Sequence, residues 1–330
     1  MNAVLAPDET TGEPITPVIW SDFATRQIFV GSACDIVRNV RTPGGNTLKV
    51  GTLDDTVDSS NAAQEGVATD SSSDRSDKDF NETKTRELKF YYASSEWATV
   101  AKDQITDTSM ALEMMLTDEL VRRAMRQKEK TVVTGTGAGD TWKGLLETTT
   151  SGHTSAINNK LSYSDLTGLV YSVNREYRRN KVQSGMYPIY SGPYTAASMG
   201  GSGMLAGDDG ERQIVEMLDT NGRQFWQPAE SASLRDSGVG GMILQFPYWV
   251  TSYMPAIAAQ AKCLLHGDFN AYTLATADPG LYIKRVTGET DKNLHNKVAF
   301  IAEVRCGGVA SGGPTGTDTS EAYKYLTMKA

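Results

Sequence analysis

The three histidines are the side chains best suited to move protons or bind metal near neutral pH. His153, His266 and His295 lie far apart in the sequence, and none belongs to an H-E-x-x-H pair. His266 and Asp268 could form an acid/base pair, but alternate residues share a face only where a strand is regular. The chain also lacks the G-x-S-x-G motif of a serine nucleophile. These patterns predict no catalytic residue and no enzyme activity.

The three cysteines give no sign of a metal site or a disulfide framework. Cys34, Cys263 and Cys306 are an odd, scattered set without a C-x-x-C pair. Free cysteine usually packs as a small apolar side chain. We therefore predict buried, reduced thiols and no metal ligand.

Two glycine-rich stretches resemble nucleotide-binding loops in composition but not in context. A phosphate loop follows a strand and precedes a helix, whereas Thr134 to Gly137 follow a predicted helix and Lys143 precedes Gly144. The second stretch, Gly201-x-Gly203-x-x-Ala206, has no strand directly before it and is predicted to be a flexible loop. Neither stretch predicts a cofactor.

The charge balance argues against a protein that binds nucleic acid through its phosphates. The 330 residues carry a formal charge of −8, and the isoelectric point is 5.1. One basic cluster could bind DNA, although a solvated or ion-paired helix face is favoured in so acidic a chain; it comprises Arg122, Arg123, Arg126, Lys128 and Lys130. No apolar run has membrane-spanning length, which predicts a protein made and kept in a cytoplasm.

Helical periodicity predicts two long helices, the first of which would carry the basic cluster. The first runs from about Asp107 to Val133, with apolar stripes on two sides, and carries the basic cluster in its last turns. The second begins at Ser162, which stands in capping-box spacing to Asp165, and is predicted to end at Gly185. A shorter helix is predicted from about Gly210 to Leu218.

Strands are predicted on both sides of these helices. Short apolar runs cut by Pro and Gly make Gly241 to Arg285 a β-rich block. Alternation predicts a strand over Val298 to Arg305, and Glu321 to Leu326 form a last one. Near the N-terminus, Cys34 to Val40 and Thr47 to Val50 are predicted to be strands.

The segment from Leu53 to Glu82 is too polar to form a core of its own, because it holds nine acidic and two basic residues. It is either a disordered linker or a long two-stranded excursion resting on another surface. Flanking strand-like stretches favour the excursion.

The order of several motifs resembles the major capsid proteins of tailed phages with the Hong Kong 97-type fold. In the second half of the chain the matching parts are Leu244 to Val250, Ser252 to Pro255, Gly267 to Tyr272 and Gly280 to Ile283. The Thr134 to Gly137 and Gly144 to Leu146 elements are similar to the family's N-G-T-G and G-I-L elements, and the two C-terminal strands also match the family pattern.

The resemblance implies an α+β fold with axial and peripheral domains, a long spine helix, an extended loop and an N-terminal arm. The expected segments are the N-terminal arm (1–40), the extended β-hairpin loop (41–95), the peripheral domain with the spine helix (96–149), the axial domain (150–284), and the C-terminal strands of the peripheral domain (285–330).

The function implied is that of a major capsid protein whose copies form hexamers and pentamers of an icosahedral shell. The shell would enclose double-stranded DNA without sequence-specific binding, be assembled in the host cytoplasm, and have portal, scaffolding or decoration proteins as partners. An encapsulin-like nanocompartment is the nearest alternative, and a soluble enzyme with a glycine-rich loop is the alternative from another class. Some capsids of this fold form lysine–asparagine isopeptide bonds, but no such reaction is assigned to Lys49, Lys84 or Lys89.

Overall fold

The computed structural model of the chain describes residues 33–43, 47–52, 84–101, 112–174, 177–178, 202–218, 222–227, 239–244, 246–287, 297–311 and 319–330. Within these ranges it is a mixed α+β fold in which strands dominate. The segment from Leu53 to Glu82 lies outside the described residues.

The first sheet has five strands and packs against the longest helix, α2 (Leu112–Thr134). Its strands are β1 (Arg38–Thr42), β4 (Tyr91–Ser94), β5 (Ala98–Ala101), β11 (Tyr272–Thr287) and β12 (Lys297–Ala310). The order is β1-β11-β12-β4, with β5 also on β12, and only β1 runs parallel to its neighbour. A short helix, α1 (Ala33–Ile36), contacts α2.

The second sheet has six strands in the order β6-β13-β10-β7-β9-β8. They are β6 (Thr149–Thr154), β7 (Ser202–Ala206), β8 (Val239–Ile243), β9 (Phe246–Val250), β10 (Lys262–Asp268) and β13 (Ser320–Thr327). Helix α3 (Tyr163–Ser172) contacts β6, β10 and β13, and helix α4 (Asp208–Glu216) contacts β7. The strands of the predicted β-rich block thus fall into both sheets.

The remaining two strands form a separate antiparallel ribbon, which we call the arm: β2 (Thr47–Thr52) and β3 (Lys84–Lys89). The arm is fixed to the end of β12, because Arg86 Nη1 donates to the Ala310 carbonyl at 2.8 Å and Leu88 is buried. Its strands bracket residues 53 to 83. The prediction of strands on both sides of the acidic segment is therefore confirmed.

The core occupies both faces of the second sheet. Alternate residues of its strands join a large cluster shared with α2 and the first sheet, including Leu205, Trp249, Leu265 and Tyr323. The intervening residues join a second cluster with α3 and α4. Burial on two faces explains why these strands read as near-continuous apolar runs.

The first helix is confirmed where it is described, with one exception in its apolar pattern. Leu120 and Ala124 are buried, and Val121 and Met125 pack against the core. Met114, predicted on the second apolar stripe, is instead 67% exposed. The helix is thus covered on two sides only in its C-terminal half.

Two helix and strand predictions were wrong in extent. Residues 33–36 form α1 before β1 begins at Arg38, so the strand predicted over Cys34 to Val40 starts later. Helix α3 ends at Ser172 rather than at Gly185, and the buried Val173 is extended. Asn174 follows, and asparagine favours non-helical backbone because its side chain competes for backbone hydrogen bonds.

Gly203 and its neighbours do not form the flexible loop that was predicted. Ser202–Ala206 is β7, a fully buried strand between β10 and β9. A Cβ on Gly203 would lie 2.2 Å from the Trp249 ring, so glycine is needed for close packing. Gly203, which indicated a loop, instead leaves room in the strand for the Trp249 ring.

The chain passes between the sheets more often than the expected segments imply. Strand β11 crosses the expected boundary at residue 285, and β13 lies in the second sheet beside β10 rather than beside β12. In the second sheet, β13 lies between β6 and β10 and pairs with both strands. The division into axial and peripheral domains remains a prediction.

Candidate functional site

The His266 and Asp268 pair does not form an acid/base site. His266 is fully buried, with its ring edge-on to Phe246 at 4.8 Å between centroids. Burial, assisted by the nearby Arg178, lowers its pKa to about 4, so the ring is neutral at pH 7. Asp268 Oδ1 instead accepts from the Asn270 amide at 3.0 Å and caps a short turn.

His153 lies beside the carboxylate of Asp165, a residue that was predicted only to cap a helix. Its Nε2 lies 3.4 Å from Asp165 Oδ1. The buried Asp165 carboxylate also accepts from the amides of Ala156 and Ser162, both at 2.9 Å, and from the Ser162 hydroxyl at 2.6 Å. With so many donors fixed on it, this carboxylate holds the start of α3 in place. His295 lies outside the described residues.

The cysteines are free thiols, and Cys263 and Cys306 are buried as predicted. Burial raises the pKa of all three thiols to about 12, which keeps them protonated at neutral pH. In the described part of the chain, no group of three His, Cys, Asp or Glu side chains could hold a metal ion. No described helix is long and apolar enough to cross a membrane.

The glycine-rich stretch after α2 uses its amides to close the helix. The amides of Gly144, Leu145 and Leu146 donate to the carbonyls of Gly135, Val132 and Val133 at 2.7–3.1 Å. A Cβ on Gly144 would lie 2.7 Å from Gly135 N and Thr131 O. These amides satisfy carbonyls at the end of α2, so they are not oriented to bind a phosphate.

The basic cluster of α2 is divided between two sides of the helix. Lys128 Nζ lies 3.5 Å from Thr276 Oγ1 of β11. On another side, Arg123, Arg126 and Lys130 line a cleft with a volume of about 390 Å³. Its other lining residues are Ser94, Ser95, Glu96, Gln127 and Tyr253. We call it the basic cleft.

The basic cleft carries an excess of positive charge. Arg123 Nε and Arg126 Nη2 lie 3.3 Å and 3.1 Å from the same Glu119 oxygen, so one carboxylate serves two guanidinium groups. Glu96 is the one acidic lining residue. Lys130 is exposed and makes no ion pair with any described residue. The lining of the cleft thus holds three cationic side chains and one acidic one.

The sequence predicted the basic side chains of this cleft, but not the residues from other elements that complete it. The register of β4 on β12 places Ser94 beside Glu303, and the turn after β9 brings in Tyr253. These residues are far from α2 in the sequence. No local signal could have shown that they face it.

Several large apolar side chains are exposed on the described surface, at two places in particular. The ring of Tyr163 stacks on that of Phe225 with 4.3 Å between centroids, and the exposed Leu218 forms an isolated β-bridge with Gln224. On the first sheet, the exposed Tyr92 makes an edge contact with Tyr282. Exposed apolar surface of this kind is typical of contacts with another protein.

A comparison with family models matches residues 18–311 to the phage capsid family. No curated protein matches the sequence. The match spans most of the chain.

Solved structures of similar fold are also capsids. The structure is similar to the capsid of a native GTA particle computed with C5 symmetry, with a TM-score of 0.67, 19% identity and 96% of each chain covered. It is similar to a structure from Mycobacterium phage Bobi, with a TM-score of 0.61, 15% identity and 96% of each chain covered. The capsid of cyanophage A-1(L) has a TM-score of 0.57 at 11% identity, covering 93% of this chain and 95% of that one. The chain belongs to the phage capsid family.

Proposed function

We propose that this chain is the major capsid protein of a tailed bacteriophage, and that its copies assemble into the icosahedral shell that encloses the phage DNA. The observation that carries the proposal is the family match over residues 18–311. The similar folds cover 96% of both chains, so the whole described body takes part in the likeness rather than one shared module.

The surface of the body supports a role in contacts between copies. Exposed aromatic side chains lie on α3 and on the first sheet, while the polar groups that could have done chemistry are engaged in folding. Closed rings repeat one contact around an axis, so small surfaces of this kind act together in an assembly. We infer that hexamers and pentamers are the rings formed.

We infer that the two sheets belong to different domains of the capsid fold. Helix α2 and the first sheet would form the peripheral domain, and the second sheet with α3 and α4 would form most of the axial domain. The arm of β2 and β3 would support the extended loop, and the part of residues 1–40 that precedes α1 would supply the N-terminal arm.

The expected partners follow from the shell. The chain binds itself first, and a portal, with scaffolding or decoration proteins, would complete the particle. A formal charge of −8 per copy makes the average interaction with DNA repulsive, so the DNA is enclosed and not bound by sequence. The protein would be assembled in the host cytoplasm and reside in the virion.

The phage shell is favoured over an encapsulin-like nanocompartment, because the family matched is that of phage capsids. The enzyme alternative has no support from the glycine-rich stretches, one of which closes α2 and the other of which is a buried strand. A turnover screen with nucleotides and acyl esters is expected to show no activity above a heat-denatured sample.

The proposal is tested by measuring particle mass across a concentration series of the purified full chain. We expect rings or shells to accumulate as the concentration rises, because closed assemblies form cooperatively. A single species of about the 35.7 kDa chain mass throughout the micromolar range would contradict the proposal.

A further inference from the structure

We propose that Glu129 of α2 is a positioning residue for assembly: its hydrogen bond with Thr251 sets the angle at which the second sheet lies on α2. The inference deepens the proposed function and rests on it, because the shape of one copy decides how its contacts close a shell. Copies that repeat a contact around an axis form a closed ring only if each presents its surfaces at a fixed angle.

The contact joins two buried polar side chains from distant parts of the chain. The Thr251 hydroxyl donates to Glu129 Oε1 at 3.0 Å. Glu129 has no exposed surface, and Thr251 is 1% exposed. Burying a carboxylate costs free energy that its contacts only partly return, and an apolar side chain of similar volume is often as stable or more so. A buried glutamate at this place therefore points to a role other than stability alone.

Thr251 is fixed to the second sheet, where it directly follows β9. Its amide donates to the Ala206 carbonyl of β7 at 2.9 Å. Its carbonyl accepts from the Met254 amide at 3.4 Å, and its hydroxyl accepts from the Tyr253 amide at 3.4 Å. Because Thr251 moves with the sheet, any rotation of the sheet against α2 stretches or bends the bond to Glu129.

The other partner, Glu129, is fixed to the first sheet through α2, whose backbone contacts β4, β11 and β12. The second sheet contributes apolar side chains, such as Trp249 and Met254, to the cluster that it shares with α2. Apolar contacts are non-directional and tolerate a range of angles. A hydrogen bond requires a defined distance and direction. The bond between Glu129 and Thr251 can therefore select one angle among those that the apolar contacts allow.

The basic cleft adjoins this bond and leaves room for a change of angle. Tyr253, in the same turn as Thr251, is one of its lining residues. Arg126 of α2 and Ser94 of the first sheet line it as well. Burial and the Glu129 carboxylate raise the pKa of the Tyr253 hydroxyl, while Arg126 opposes the rise, so these groups lie close together. A tilt of the second sheet would widen or narrow this gap without breaking into a packed core.

Two apolar variants of the full-length chain remove the bond from either side. Thr251→Val deletes the donor hydroxyl and keeps the side-chain shape, and Glu129→Leu deletes the acceptor. Particles of each are sized by electron microscopy, and the unfolding of each is followed in denaturant. We expect both variants to unfold cooperatively. The fraction of particles with the size of the unmodified shells should fall about fivefold or more, since a hydrogen bond of this strength shifts an equilibrium by that factor.

Two further variants are the controls. Thr131→Val makes the same chemical change at another buried threonine of α2, whose hydroxyl donates to the Gln127 carbonyl at 2.9 Å within the helix. It removes a hydrogen bond without separating two elements, so it should give shells of normal size. Glu129→Gln keeps an oxygen that can accept from Thr251 and should also give shells of normal size.

A distance measurement on the unassembled chain tests the angle itself. Spin labels are placed at Arg122→Cys on α2 and Ile157→Cys beside β6, both at exposed positions. The native thiols stay protonated at neutral pH, so they react slowly with the label. We expect one narrow distance distribution in the otherwise unmodified chain and in Thr131→Val. Thr251→Val should give a broader distribution or a second distance.

Several results would overturn the role given to Glu129. One is shells of normal size from both apolar variants. Another is a distance distribution that Thr251→Val leaves unchanged. A third is that Glu129→Gln assembles as poorly as Glu129→Leu, because glutamine keeps the acceptor. Loss of cooperative unfolding in both apolar variants would show that the bond is needed for folding instead. Failure of the unmodified chain to assemble would overturn the proposed function, and the distance measurement would still decide whether Glu129 sets the angle.

Discussion

At the scale of single residues, buried polar side chains hold the body together by satisfying backbone groups. Asp165 is the most connected of them, since it accepts from Ala156 and from the Ser162 amide and hydroxyl, and lies 3.4 Å from His153 Nε2. The Thr148 hydroxyl, 2.7 Å from that of Tyr323, joins the end of the loop after α2 to β13 in the same way. Removing one partner of such a group leaves the others buried and unpaired.

Asp165→Ala is expected to lower the free energy of unfolding by about 3 kcal/mol, because it leaves the Ala156 and Ser162 amides without their acceptor. Ser162→Ala removes only the cap hydroxyl and should cost about 1 kcal/mol. Denaturant unfolding followed by tryptophan fluorescence measures both. The control is Ser164→Ala, at an exposed position in the same turn. Equal effects of Asp165→Ala and Ser164→Ala would contradict the role given to Asp165.

Gly144→Ala should destabilise the chain by about 1–3 kcal/mol, because its Cβ would meet backbone atoms of Gly135 and Thr131 that cannot move freely. Gly139→Asn is the matched control in the same loop. Gly139 has a φ of +64°, which asparagine tolerates, and open space around the added atom. Thermal unfolding of the two variants should separate them clearly. A neutral Gly144→Ala would show that the loop does not close tightly on α2.

His266 makes stability depend on pH in a predictable direction. Its pKa is about 4 in the folded chain against an ordinary value of 6.5, so the unfolded state binds the proton more readily. Stability is full above about pH 6.5 and falls as the pH drops toward 4. Between about pH 7 and about pH 4.5 this one group should remove about 2.5 kcal/mol.

The variant His266→Leu tests that dependence, because it lacks the titrating ring but keeps a side chain suited to the apolar site. Denaturant unfolding of both chains at the two pH values gives the comparison. We expect the fall in stability to be smaller in the variant by about 2.5 kcal/mol. An identical fall in both chains would mean that other groups carry the acid sensitivity.

At the scale of elements, the sequence predicted most of what local pattern controls. The capping box at Ser162 and Asp165, the last strand, and the strands flanking the acidic segment are confirmed. Each depends on residues close together in the chain. Alternation and capping are read directly from such neighbours.

The predictions that failed depend on contacts between distant residues. Gly203 suggested a loop, but Trp249 from β9 covers it within a buried strand. Met114 fitted an apolar stripe, yet its side chain is exposed. The cleft at Arg123 and Lys130 is completed by β4 and by Tyr253. No pattern within one element records which element will lie against it.

Replacing Leu53 to Glu82 with a short Gly-Ser turn should separate folding from assembly. The arm strands remain, and the segment contributes few apolar side chains, so the described core keeps its residues. Loop shortening changes closure entropy only slightly. We expect a cooperatively unfolding chain that no longer forms stable shells.

Circular dichroism melting of that variant measures its folding, and electron microscopy of the same variant measures its assembly. A scrambled version of the same 30 residues, with identical composition, is the control for segment length and charge. Normal, heat-stable shells from the Gly-Ser variant would show that the acidic segment is only a linker. An unfolded variant would show that the segment is part of the core.

At the scale of the whole molecule, the central feature is a body with its polar groups engaged in folding and its contact surfaces turned outward. One face of the first sheet and the end of α3 expose aromatic side chains, and α2 exposes a basic cleft. The same chain carries a strongly acidic segment between the two strands of the arm. Exposed aromatic side chains on two elements of one body are suited to contacts that repeat between copies.

Electron microscopy of the purified full-length chain, with the mass of the particles measured on the same sample, tests whether the chain assembles into a closed shell. We expect closed particles of uniform size with fivefold vertices, since copies related by symmetry repeat the same contacts until the shell closes. A solution of monomers at every concentration, or open aggregates without symmetry, would contradict it.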